Sequence, residues 1–228
     1  MYRSSFYLAA ALTAVVAPAC RTAAPAGHPP PVIQPGAPGQ TSRVLPSDTA
    51  QPIPAATDAD IKFMQGMIHH HAQALDMTDL LVKRSQDPDM KKLAMRITVS
   101  QTDEIKMMQH WLEARGQEAP DPRAHHMAGM PGMEGMDHGA HAVMMPGMLT
   151  AEEMTRLAAA KGPEFDRLFL EGMIKHHGGA LVMVQDLFST PGAGQQSDIF
   201  AFASDVEADQ KMEIDRMSAM LDHVKEQR

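Results

Sequence analysis

The chain has 228 residues, which is enough for one domain of modest size or two very small ones. Its formal net charge of -8 argues against a nucleic-acid partner, because phosphate binding requires a basic face. Aromatic residues make up only 4% of the chain, whereas methionine occurs 21 times, which indicates a specific use for methionine.

The first 19 residues have the features of a signal peptide. Arg3 supplies a positive start, and residues 6–17 form an apolar run that is too short to span a bilayer permanently. We therefore expect an exported protein in the periplasm or on the outer cell surface. Cys20 is the only cysteine, so no internal disulfide can form. Two processing routes fit its position: lipidation of Cys20 with membrane attachment, or ordinary cleavage near Ala19.

Residues 20–56 are rich in Pro and Ala, and nine prolines fall between residues 21 and 56. Proline fixes φ and removes a backbone donor, and few side chains here could form a core. We expect this segment to be an extended, disordered tether.

Helix signals dominate the rest of the chain, residues 57–228, and no strand period competes with them. Thr57 and Asp87 can each cap a long helix, and a proline at the first helical position follows Asp87. Thr150 opens a capping box for a short helix near 151–161, and Ser197 caps the last long helix. We expect hairpin one over 57–116, a Met/His-rich insert over 117–149 and hairpin two over 150–228.

The two hairpins repeat one sequence pattern. "FMQGMIHHHAQALDM" at 63–77 aligns with "FLEGMIKHHGGALVM" at 169–183, and "QTDEIKMMQHWL" at 101–112 aligns with "QKMEIDRMSAML" at 210–221. Two amphipathic hairpins can bury their apolar stripes against each other, so we predict an all-α fold in which the repeated hairpins form a four-helix bundle.

Paired histidines lie inside each copy, on stripes that face the interior. His70 and His71 follow Met67 by three and four residues, and residues at these spacings share a helix face. The second copy repeats the spacing with Met173, His176 and His177. Each Met/His/His face could therefore reach one metal ion of its own; the alternative is a single site at the centre of the bundle, to which both halves contribute. Further candidate ligands on these helices are Met64, Met77, Met108, Met183 and Met217.

Glu104 and Glu213 lie on the apolar seams of the second and fourth long helices. A carboxylate buried there without a partner would cost several kcal/mol, so each needs a histidine, an arginine or a metal ion. One interpretation makes both glutamates metal ligands. The other is purely structural: His–Glu and His–Gln hydrogen bonds fix the register of a bundle that is packed with methionine.

The insert has a composition that a packed helix cannot explain. Residues 125–148 contain seven Met and four His among Gly and Pro. Thioethers and imidazoles together select Cu(I), and by the same softness Ag(I), whereas thiolates would oxidise outside the cytoplasm. The alternative is a low-complexity linker without a function of its own. The candidate ligands here are His125, His126, Met127, Met130, Met133, Met136, His138 and His141.

The pattern Phe-x-x-x-Met-Ile-x-His-His-x-x-Ala, with a following Gln-x-x-Glu-Ile-x-x-Met, resembles a bacterial family labelled a domain of unknown function. Its members include CopM-like periplasmic copper-binding proteins. The resemblance covers roughly residues 58–116 and 149–224. It implies export, a ferritin-like four-helix bundle and copper binding through the Met/His/His residues of both copies. The tether, the insert and the extra histidine, His69, fall outside the shared pattern.

We therefore expect a copper-binding protein, with Cu(I) as the preferred ion, that sequesters copper or transfers it to an exporter or a periplasmic acceptor. We expect no enzymatic activity, since no nucleophile constellation, Gly-rich phosphate loop or CxxC is present. Two alternatives remain. A ferritin-like dinuclear oxidoreductase would normally need four carboxylates, and the seams show two. A helical interaction module would need no metal.

Overall fold

The computed structural model describes residues 32–34, 41–45, 54–122 and 144–226. It divides the chain into two units, Met1–Pro52 and Ile53–Arg228. The expected signal peptide, Cys20 and the candidate ligands from His125 to His141 lie outside the described residues.

The first unit contains a short β-hairpin. Strand β1 (Val32–Gln34) pairs antiparallel with β2 (Arg43–Leu45), with Ile33 opposite Val44. We expected an extended tether over residues 20–56 and did not foresee the pairing of these two stretches. Both strands contain β-branched residues, which favour extended backbone, and the side chains of Ile33 and Val44 are exposed.

The described part of the second unit forms five helices: α1 (Asp58–Arg84), α2 (Pro88–Glu113), α3 (Ala151–Ala159), α4 (Gly162–Ser189) and α5 (Ser197–Glu226). Thr57 and Thr150 each form the expected capping box, and the Asp87 carboxylate accepts two backbone N–H groups at the start of α2. The helix boundaries lie within a few residues of those expected because these caps are local in sequence. None of these helices carries an apolar stretch long enough to cross a bilayer.

The four long helices form two hairpins that meet through α1 and α4. Helix α1 packs along α2, and α4 packs along α5. The short helix α3 contacts α4. The predicted all-α bundle of two repeated hairpins is therefore confirmed.

The interior of the bundle consists of two apolar clusters. The first apolar cluster includes Phe63, Met64, Met67, Met108, Trp111 and Val184. The second apolar cluster includes Met77, Met90, Phe169, Met173, Met217 and Leu221. Helix α1 runs from the first cluster to the second and α4 runs in the opposite direction. The paired histidines of both helices lie between the clusters along the chain.

The end of the insert, residues 144–149, belongs to the packed bundle; we call this segment the strap. Met148 and Leu149 are only 5% and 6% exposed. The Gln73 side chain donates to the Leu149 carbonyl at 2.9 Å and accepts from the Leu149 N–H at 2.7 Å. The interpretation of residues 117–149 as an insert outside the core therefore needs correction at its C-terminal end. Local composition could not show this, since the contacts join residues that are far apart in sequence.

Candidate metal centre

Four histidines from the two hairpins meet in the middle of the bundle. His70 and His71 of α1 and His176 and His177 of α4 are fully buried, with exposures of 0%. The rings of His70 and His176 lie with their centroids 3.8 Å apart and their planes 36° apart. We call the four residues the histidine layer. We expected a separate face in each hairpin, with one shared central site as the alternative, and the structure brings both pairs into one layer.

The two outer histidines are each paired with a glutamate of the same hairpin. His71 Nε2 lies 2.5 Å from Glu104 Oε2, and His177 Nε2 lies 2.6 Å from Glu213 Oε2. Ser100 also donates to Glu104, at 2.7 Å. These are the His–Glu hydrogen bonds of the structural interpretation. Because each Nε2 is engaged, Nδ1 is the ring nitrogen of His71 and His177 that remains for another partner.

Negative charge surrounds the outer part of the layer. Burial alone would raise the pKa of Glu104, but its hydrogen bonds with His71 and Ser100 hold that pKa below its usual value. The carboxylate is therefore ionised at neutral pH. Burial raises the pKa of Asp209 on α5, and the charges of Glu104 and Glu213 raise it further. A cation that enters the layer consequently meets favourable electrostatics.

The inner histidines are held in the neutral form. Burial lowers the pKa of His70 to about 3, and the neighbouring His71 contributes in the same direction, while the hydrogen bond with the Pro146 carbonyl opposes the shift. Burial also lowers the pKa of His176 well below its usual value. A neutral imidazole has a nitrogen lone pair that can ligate a metal ion, which an imidazolium lacks. Both inner rings are thus competent ligands at neutral pH.

Several nitrogens of the layer find no ordinary hydrogen bond among the described residues. Neither ring nitrogen of His176 makes one, although the backbone of His70 lies nearby. The Nδ1 atoms of His70, His71 and His177 are in the same situation. A buried polar atom without a partner costs about 1–3 kcal/mol and usually marks a site for water or an ion.

No three His, Asp or Glu side chains within the described ranges are grouped to hold one ion. In this conformation an ion in the layer would therefore use at most two such side chains, together with ligands of another type. Six predicted methionine ligands are fully buried in the two apolar clusters: Met64, Met67, Met77, Met108, Met173 and Met217. Met67 and Met173 lie in different clusters, while Met183 is half-buried.

The sequence analysis did not single out the residues that close the layer. His70 Nε2–H donates to the Pro146 carbonyl of the strap at 3.0 Å. Gln73 fixes the next part of the strap through Leu149. A signal was present in the aligned repeats, because Gln73 stands where the second copy has Gly179. Because the two copies are otherwise similar, this difference indicates that Gln73 and Gly179 have different functions in the fold.

The sequence matches known proteins along most of the bundle. The profile of the domain of unknown function DUF305 matches residues 60–221. An uncharacterised protein of Acanthamoeba polyphaga mimivirus is 41% identical over 56 residues, which cover 25% of this chain and 37% of that protein. The chain thus aligns with little more than a third of that relative.

Solved structures share the fold. A DUF305 protein from Streptomyces coelicolor, described as secreted, is 25% identical with a TM-score of 0.60, covering 75% of this chain and 96% of that chain. CopM in its Cu(II)-bound form is 28% identical with a TM-score of 0.54, covering 72% of this chain and 96% of that chain. CopM also has Cu(I)-bound and Ag-bound structures. The chain of 228 residues, matched over most of its length, belongs to the DUF305 family.

Proposed function

We propose that this protein is an exported copper-binding protein that holds Cu(I) through imidazole and thioether ligands. It sequesters the ion or transfers it to an exporter or a periplasmic acceptor, and it does not turn over a substrate. The observation that carries this proposal is the buried histidine layer. Its inner rings, His70 and His176, are neutral, lie with their centroids 3.8 Å apart and carry unpaired nitrogens. The outer rings beside them are paired with Glu104 and Glu213.

The chemistry of the layer favours a soft monovalent ion. Neutral imidazoles together with thioethers suit Cu(I) and Ag(I), whereas hard dications prefer several carboxylates. Transfer of a single charge into a dry interior also costs less than transfer of a double charge. The ionised Glu104, held beside His71, offsets part of that cost.

The comparisons support the same assignment. CopM structures with Cu(II), Cu(I) and Ag are similar to this chain at 28%, 26% and 25% identity. The similar Streptomyces coelicolor protein is described as secreted. The signal-like first 19 residues of this chain point to export as well.

A competition titration tests the proposal. We expect the full chain to take Cu(I) from a coloured chelator and to prefer Cu(I) and Ag(I) to Zn(II) and Fe(II). In a background where the Met and His residues of 125–143 are replaced by Ser, the double variant His70→Gln/His176→Gln should lose affinity. Removal of a residue that only hydrogen-bonds to a metal ligand lowers the metal affinity by about 10–100-fold. Removal of two ligands should lower the Cu(I) affinity by at least as much.

The matched control is His110→Gln, since His110 is exposed on α2 and lies outside the layer. Its Cu(I) affinity should equal that of the unsubstituted background. Preference for Zn(II) or Fe(II) over Cu(I) would contradict the proposal. So would equal Cu(I) affinities for the double variant and the control, because the layer would then be structural only.

A further inference from the structure

Two equivalent glycines of the repeat are contact points for methionines of the opposite helix. Gly66 of α1 corresponds to Gly172 of α4 in the aligned copies, as Met77 corresponds to Met183. A Cβ atom at Gly66 would lie 3.5 Å from Met183 Cε, and one at Gly172 would lie 3.3 Å from Met77 Cε. The pseudo-twofold symmetry of the bundle thus creates two similar niches, each lined by one thioether.

The strap makes the two niches different. Met145 Sδ lies 3.2 Å from the Cβ position of Gly66, so that a second thioether reaches this niche. At Gly172 the nearest contact is a methyl group of Leu149, 3.1 Å from the Cβ position. Two sulfur-containing side chains therefore converge at Gly66, whereas one thioether and one hydrocarbon side chain meet at Gly172.

The side chains next to the two glycines also differ in whether they can bind a soft cation. His69 lies one turn after Gly66 on the same face of α1 and is half-buried. Its counterpart beside Gly172 is Lys175, a cation that pairs with Glu153 at 2.8 Å. Helix spacing thus places an imidazole on the face of α1 that carries Gly66, whereas the corresponding residue beside Gly172 carries an ammonium group.

Burial also separates the niches. Met145 and Met183 are half-buried, so an ion from solvent can reach the Gly66 niche. Met77 is fully buried, so the one thioether of the Gly172 niche is shut off from solvent. The strap holds Met145 in place because its neighbour Pro146 binds His70, at 3.0 Å. The position of the second thioether is thus fixed by the fold.

We propose that Met145, Met183 and His69 form a second soft-metal site over Gly66, at the edge of the bundle and distinct from the histidine layer. Its ligand class is a monovalent soft cation, Cu(I) or Ag(I), which accepts two thioethers and one imidazole. The proposal rests on the proposed copper-binding function only for the identity of the physiological ion. Through Pro146 and His70 the strap connects this site with the layer.

Methyl NMR of the full chain tests the site with Ag(I) as the probe, since Ag(I) does not change oxidation state in air. The methionine methyl groups are labelled with ¹³C, and the signals of Met145, Met183 and Met77 are assigned through Leu variants. We expect Met145 and Met183 to shift with the same Ag(I) dependence. The methyl signal of Met77, which lies at the Gly172 niche, should not follow this dependence on the Ag(I) concentration.

The variant Met145→Leu keeps the volume of the side chain and removes the sulfur atom. It should weaken the Ag(I) response of Met183 by roughly 10–100-fold, as expected for a lost metal partner. The matched control Met77→Leu should leave that response unchanged. A Met183 response that is equally strong in Met145→Leu would overturn the proposed site.

The same titration separates this proposal from the proposed function. Histidine ring signals report on the layer independently of the methyl signals. If the ring signals of the layer respond to Ag(I) while Met145 and Met183 do not, the second site is wrong and copper binding by the layer stands. If Met145 and Met183 respond together while the ring signals of the four layer histidines stay unchanged, the second site stands and the layer has no part in binding.

Discussion

Gln73 and Gly179 occupy equivalent positions in the two copies of the repeat, and both allow the strap to pack against the bundle, by different means. The Gln73 side chain binds the N–H and the carbonyl group of Leu149. Gly179 instead leaves space for the strap, because a Cβ atom there would lie 1.9 Å from the Pro146 carbonyl oxygen. One residue attracts the strap and the other makes room for it.

Substitution of Gly179 tests this close approach. Gly179→Ala should destabilise the protein by more than about 1 kcal/mol, because the strap must move, even though Ala favours a helix by roughly 1 kcal/mol. The control is the neighbouring Gly178, where an added Cβ meets no atom within 4 Å. Gly178→Ala should stabilise the protein by about 0.5–1 kcal/mol. Urea unfolding of both variants measures the contrast, and equal changes in the free energy of unfolding would contradict it.

Loss of the Gln73 side-chain amide should show how much its two hydrogen bonds to Leu149 stabilise the protein. In Gln73→Leu the backbone N–H and carbonyl of Leu149 lose buried partners, at a cost of about 1–3 kcal/mol. Gln65 makes an exposed hydrogen bond to the Glu118 carbonyl, so Gln65→Leu serves as the control and should cost less than about 0.5 kcal/mol. The measurement is again the free energy of unfolding, and the prediction fails if both substitutions have the same effect.

Replacement of residues 125–143 by a Gly/Ser segment of equal length separates the insert from the strap. We expect fewer bound Cu(I) ions per chain and a nearly unchanged melting temperature, because residues 144–149 and their contacts are retained. Deletion of residues 125–148 would instead remove Met145, Pro146, Gly147 and Met148 and should lower the melting temperature clearly. Calorimetry with copper analysis of each variant checks both statements. A melting temperature that is the same after the deletion would show that the strap does not stabilise the bundle.

Acid should destabilise the metal-free protein well before its carboxylates titrate. An unfolded histidine binds a proton near pH 6.5, whereas burial lowers the pKa of His70 in the folded state to about 3. The unfolded state therefore binds more protons between these pH values, so stability falls as the pH drops through this window. For His70 alone the full loss is on the order of 5 kcal/mol. His71, His176 and His177 face His70 and make a second positive charge in the layer still less favourable.

The slope between pH 6.5 and 5 tests this prediction, since Glu104 has a lowered pKa and stays ionised there. Urea unfolding of His70→Gln should show a flatter dependence on pH over this range than the unsubstituted protein. His110→Gln removes an exposed imidazole and should leave the slope unchanged. Parallel slopes in all three proteins would mean that His70 is not held neutral by burial.

Local signals in the sequence predicted most of the bundle. Thr57, Asp87 and Thr150 cap helices as expected because an N-cap depends on the three or four residues that follow it. A carboxylate on an apolar seam needs a histidine, an arginine or a metal ion as its partner, and the structure places a histidine beside each of Glu104 and Glu213. These inferences needed only periodicity and burial.

The strap and the single histidine layer could not be predicted in that way. His70 and Pro146 are 76 residues apart, and the intervening segment of Gly, Pro and Met has no period that would indicate where it packs. Helical stripes identify which residues face the interior, but they do not set the relative height of α1 and α4. That height decides whether His70 meets His176, and it results from packing across the whole interface.

The strap also shows how chain connectivity can make duplicated halves unequal. Two separate copies of one hairpin, associated as a dimer, would present identical faces. A single polypeptide needs a linker between the halves, and a linker that docks must cross on one side. Here it brings Met145 to one glycine niche and Leu149 to the other. The two halves can then diverge, with Gln73 and Gly179 as the visible result, while the backbone keeps its twofold arrangement.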